Sequence, residues 1–215
     1  MKIYFKTSAI TILSLLLTNC RKEATSYLQR TYEEAVKLHK EGNLNDAIFY
    51  YQLTALNCQY HPEDSLTYWW KAMCGQGEVW RQKNFLDHAR TDFETVLQTA
   101  SKYRLDTAEY IASRKLTLIS LERQHYDEAY SYAMRAWKMA AKKRYPKTMT
   151  NGQENERILA GFAHALSGGQ AVSDTVFGQL EKLAASSSLE LRTTALKLLS
   201  LYEMQDSGKR SHLSQ

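Results

Sequence analysis

The residues of this chain whose types could do chemistry are six histidines, three cysteines and a close pair of glycines, and none is spaced for a reaction. His39, His61, His88, His125, His164 and His212 form no HExxH pair and fall at no metal-like spacing to Cys20, Cys58 or Cys74. A zinc ion would need such a pair on one helix face. Gly75-Gln76-Gly77 lies inside an apolar helical pattern and lacks the downstream glycine or lysine with which a phosphate cradle closes on its ligand. His88 and His125 stand where turns enter helices, a place for a solvent-facing polar residue. No enzyme, no metal, no cofactor and no small-molecule substrate is expected, although one sequence leaves a hydrolase with a scattered triad open.

Chemistry of another kind surrounds Cys20. Lys2 and Lys6 make a basic leader, the stretch 9–17 is apolar, and Leu17-Thr18-Asn19-Cys20 ends it. This stretch falls far short of the roughly 20 residues that a membrane-spanning helix requires. It resembles a bacterial lipoprotein signal peptide, which would make residues 1–19 the leader and Cys20 the acylated lipobox residue. That family places Gly, Ala or Ser before the cysteine, and this chain has Asn19. The alternative is an ordinary secretory signal cleaved nearby, and either would take the chain out of the cytoplasm. Acylation would put two or more chains into the bilayer, a stable anchor where one gives marginal binding. Arg21 and Lys22 stand where an aspartate would signal inner-membrane retention in some bacteria, which favours the outer membrane.

Charge and cysteine set further bounds. Of the formal charge of +5, Lys2 and Lys6 belong to the leader, so about +3 remains, too little to argue for nucleic acid. The densest basic cluster, from Lys138 to Lys147, falls at an expected helix end, where cations offset the helix dipole. A weak attraction of this patch to anionic lipid is the rival reading. If the turn at His61-Pro62-Glu63 joins two antiparallel helices, Cys58 and Cys74 are offset by about eight residues, on the order of 12 Å, which is beyond disulfide reach. Two small buried thiols are expected instead.

The elements that carry these residues read as helices. Only Pro62 and Pro146 interrupt the chain, both beside turn-forming residues. From Leu44 to Leu56, the residues Ala47, Tyr51, Thr54 and Ala55 recur at helical spacing, after a Gly42-Asn43 turn. The same grammar returns from Phe85 to Leu97 and from Tyr126 to Trp137. Small residues at Ala47, Ala89 and Ala129 are followed four later by Tyr51, Phe93 and Ala133, and seven later by Thr54, Val96 and Ala136. A small side chain at that point lets two helices of a hairpin approach closely. In the first helices, Ala35 with Leu38 and Gly77 with Trp80 fit the matching crossing, whereas Thr117 with Ser120 fits poorly.

This pattern resembles the tetratricopeptide repeat family over roughly residues 28–138. The copies are 42 and 40 residues apart, Ala47 to Ala89 to Ala129, against a family norm near 34. The expected fold is all-α: a helical-hairpin repeat array, a tetratricopeptide-like α-solenoid, over 28–205. Helices over 155–166, 172–184 and 189–204 would form a degenerate fourth hairpin and a C-terminal capping helix. A tether over 20–27 and a disordered tail over 206–215 complete the expected organisation. An irregular all-helical bundle is the alternative.

The resemblance implies a concave groove lined by first helices and suited to a protein or peptide partner. Its groove positions fall on Gln29, Tyr32, Val36 and His39, on Lys71, Cys74, Glu78 and Arg81, and on Ile111, Arg114, Leu118 and Leu121. The polar and aromatic candidates among them are Tyr32, His39, Lys71, Glu78, Arg81 and Arg114. The Lys and Asn pairing that clamps a terminal carboxylate in some members is absent from this set. Tyr68-Trp69-Trp70 is expected to pack between the first two hairpins, with an interface hot spot as the rival reading. The whole implies a lipid-anchored, non-enzymatic interaction scaffold of the bacterial cell envelope. The competing readings are a shortened relative of an envelope-sensing regulator and a glycan-binding partner of an outer-membrane transporter.

Overall fold

A computed structural model describes residues 26–58, 62–141, 150–168, 174–185 and, between 192 and 200, all but 194 and 197. The leader, Cys20, the tail and the basic residues 142–147 lie outside the described residues. Within them every regular element is a helix. These are α1 over 26–40, α2 (Leu44–Cys58), α3 (Pro62–Gln82), α4 (Leu86–Tyr103), α5 (Asp106–Glu122), α6 (Tyr126–Ala140), α7 (Thr150–Ser167) and α8 (Asp174–Ala184), with helical residues again from 192 to 200. The helices from α2 to α8 run from 11 to 21 residues, and in a folded protein helices of such length draw most of their stability from packing an apolar face.

That packing is between consecutive helices: α2 on α3, α5 on α6, α6 on α7 and α7 on α8. The side chains responsible are those whose spacing marked the repeats. All nine of Ala47, Tyr51, Thr54, Ala89, Phe93, Val96, Ala129, Ala133 and Ala136 are buried, and every one but Tyr51 has no exposed surface. The poorly matching Thr117 and Ser120 are buried as well. Thr117 donates its hydroxyl to the Ser113 carbonyl at 3.0 Å, so its helix satisfies the polar atom internally and a hydroxyl can occupy a core site.

The turns repeat as closely as the cores. Gly42, Asn84 and Gln124 each adopt a left-handed conformation, with φ of 81°, 63° and 61°. The next residue's N–H donates back to the carbonyl five residues earlier: Asn43 to Leu38 and Phe85 to Trp80 at 2.9 Å, His125 to Ser120 at 2.8 Å. This arrangement closes the first helix on its own last carbonyls. The carbonyl of that residue then accepts from Ala47, Ala89 or Ala129, at 3.0, 3.1 and 3.0 Å, and so starts the second helix. Each turn thus places the small alanine five residues after the left-handed residue. Arg104, φ 54°, builds the same turn between α4 and α5.

The chain divides into two compact units, at Asp92 and Phe93. The core of the first joins Ala35, Ala47, Tyr51, Ala55, Ala72 and Val79, with Trp69 packed against it. Thr31 of α1 and Thr54 of α2 meet there at 3.1 Å between hydroxyls. The Ser65 hydroxyl donates to the Cys58 carbonyl at 2.7 Å, fastening the start of α3 to the end of α2. In the second unit Leu118, Leu121 and Ala129 pack with Leu159, Phe162, Leu180 and Leu198. Arg135 of α6 donates to Glu109 near the start of α5 at 2.9 Å, a second tie between these two helices.

Candidate functional site

The expected groove residues fall into separate local arrangements. Tyr32 of α1 is half-buried, with its ring 6.1 Å from that of Tyr51 and 6.0 Å, edge on, from that of Tyr68 of α3. His39 lies edge on to the same Tyr51, with Nδ1 3.3 Å from the tyrosine oxygen. Burial raises the phenol pKa of both Tyr32 and Tyr51, so neither ionises near neutral pH. These rings fill the space between α1, α2 and α3, and Tyr68 joins them from the aromatic triplet.

The remaining expected residues stay apart from that cluster. Arg81 donates to Glu78 one turn earlier on α3 at 2.7 Å, so the two pair with each other. Lys71 carries its ammonium 5.9 Å from the ring centre of its neighbour Trp70. Arg114 is half-buried on α5. Cys58 and Cys74 are free thiols, Cys58 buried and Cys74 half-buried, and burial pushes the Cys58 thiol up to about 11, leaving it inert.

A different set of residues forms a cleft of about 240 Å³ in the first unit. Gln76 and Trp80 of α3 form one side, Asp87, His88, Thr91 and Asp92 of α4 the other, and Gln52 of α2 completes the lining. The Trp80 and His88 rings stand 5.1 Å apart, and Phe85 meets both edge on. Lys83 places its ammonium 5.6 Å from the Trp80 ring centre and hydrogen-bonds Asn45 at 2.5 Å.

Asp92 is the unusual member. It is only 8% exposed, and its Oδ2 has no hydrogen-bond partner among the described residues. Burial pushes its carboxyl up to about 7, against which the hydrogen bond from the Gln76 amide pulls down. Perturbed carboxyls of this kind collect at functional sites, where burial and neighbouring charges set the protonation that binding or chemistry requires. Sequence reasoning passed over it. A signal was nonetheless present: three residues after the small alanine, the first and third copies carry Tyr50 and Tyr132, while the second carries Asp92.

Beside the cleft, α2 exposes two large apolar side chains, Phe49 at 58% and Leu56 at 57%. They share one helix face with cleft-lining Gln52. No helix among the described residues is long and apolar enough to cross a membrane. Compared with protein-family models, with curated proteins and with solved structures, the chain matches none.

Proposed function

We propose that the protein is a lipid-anchored, tetratricopeptide-like α-solenoid of the bacterial cell envelope that holds a protein partner and catalyses nothing. The observation that carries the partner is the face of α2: exposed Phe49 and Leu56 flank Gln52, which opens onto the cleft of Trp80, His88 and Asp92. An apolar footing beside a small recess that carries a few polar groups is how interfaces combine affinity with specificity. Three hairpins with one turn geometry and one buried alanine pattern support the repeat reading, since such arrays work by presenting surface.

The anchor rests on Lys2, Lys6, the apolar stretch 9–17 and Cys20. Acylated there, the chain would hold its partner at the membrane. Crosslinking in the native cell, followed by identification of the adducts, tests the scaffold. Recovery of envelope proteins supports it, and the absence of any protein adduct rules it out.

A further inference from the structure

We propose that the cleft floored by Asp92 receives the guanidinium or ammonium group of an arginine or lysine side chain of the partner protein. This rests on the scaffold reading and names the chemistry by which the partner is recognised.

The floor asks for a cation. Asp92 Oδ2 is a buried acceptor with no donor among the described residues, and a charged donor supplies both the missing hydrogen bond and a counter-charge that offsets part of the desolvation cost. A neutral hydroxyl could supply the missing hydrogen bond but would leave the charge unbalanced. The charged side chains of the lining are Asp87 and Asp92, both acidic, and the nearby Lys83 ammonium, 5.6 Å from the Trp80 ring centre, is held by a hydrogen bond to Asn45.

The wall suits the same group. Trp80 already takes the ammonium of Lys83 against its ring, and with His88 it offers the cleft aromatic surface on which a planar guanidinium stacks. At about 240 Å³ the recess falls below the roughly 300 Å³ at which pockets for drug-sized ligands begin, so it fits one side chain rather than a large cofactor.

The surroundings favour a side chain carried by a protein over a free amine. Phe49 and Leu56 lie on either side of Gln52 along α2, where a polypeptide running over the helix would rest apolar residues while inserting its cation.

The test is titration of the full chain, in mild detergent at pH 8, with four probes. These are acetyl-arginine amide, its neutral isostere acetyl-citrulline amide, methyl glucoside, and a peptide with one arginine between leucines. The peptide should bind at least about tenfold tighter than acetyl-arginine amide, and that probe about tenfold tighter than the citrulline analogue. Asp92→Asn, which keeps the shape, should abolish the preference for arginine over citrulline while the chain stays folded by circular dichroism. Equal binding of arginine and citrulline, preferential binding of the glucoside, or an unchanged preference in Asp92→Asn would overturn the assignment. A peptide no tighter than the amide would overturn the protein source. Failure here with partner crosslinks intact in Asp92→Asn cells would sink the cation and leave the scaffold standing.

Discussion

Gly75 of α3 lies directly beneath the ring of Tyr51 of α2, so closely that a Cβ there would overlap the ring. Tyr51 is the large residue four places after the small Ala47, and its bulk is accommodated because the next hairpin offers hydrogen in place of a side chain. Gly75→Ala should therefore destabilise the protein by about 1–3 kcal/mol through overpacking, against the ~1 kcal/mol that alanine normally gains in a helix. At Gly178 in α8 a Cβ would meet nothing within 4 Å, so Gly178→Ala should show the opposite sign, a gain of up to about 1 kcal/mol. Urea unfolding of the two variants side by side checks the contrast.

The turns give a second contrast. Gln124 and Arg104 hold left-handed conformations that cost a side-chain-bearing residue roughly 1–2 kcal/mol, while Gly42 does so without that cost. Gln124→Gly and Arg104→Gly should raise the unfolding midpoint or leave it unchanged, because the glycine's added freedom in the unfolded chain offsets part of the gain. Gly42→Ala should lower stability by about 1 kcal/mol. Urea midpoints of the three variants against the parent check both signs.

Much of this was legible in the residues. The alanine positions, with their partners four and seven later, marked the faces that became buried, because close helix crossing leaves a compositional trace. Gly42 announced its turn. Asn84, Arg104 and Gln124 did not, since the hydrogen bonds of the turn impose the left-handed conformation whatever residue occupies it. The expected bounds of α7 began at residue 155, and the helix begins at Thr150. Tyr32 and His39 could be placed on a first helix but not assigned a neighbour, which depends on where Tyr51 and Tyr68 arrive from other helices. Asp92 hid inside a well-formed helical period. Its burial is decided by α3, not by its own segment.

The pH dependence of stability should carry the signature of Asp92. Its carboxyl is raised from an ordinary 3.8 to about 7 by burial, with Asp87 and His88 the other titratable groups on the cleft. Below about 3.8 the group is protonated in both states and its contribution is fully present. As pH rises toward and through 7 the unfolded chain ionises first, and that stability is lost. Asp92→Asn should then be more stable than the parent at pH 8, by at most about 4 kcal/mol, and close to it at pH 4. Thermal unfolding of both at the two pH values checks it.

The anchor makes its own prediction. Cys20→Ala should move the protein from the membrane fraction to the soluble extract and abolish acyl labelling. A variant that stays in the membrane pellet would contradict lipid attachment at that residue.

The most direct measurement places a photo-crosslinking amino acid at Gln52, on the cleft edge between Phe49 and Leu56, and another at exposed Lys182 of α8, in the native cell. A scaffold that holds its partner on this face predicts a discrete protein adduct from position 52 that is missing from position 182. No adduct at 52, or the same background from both positions, would contradict it.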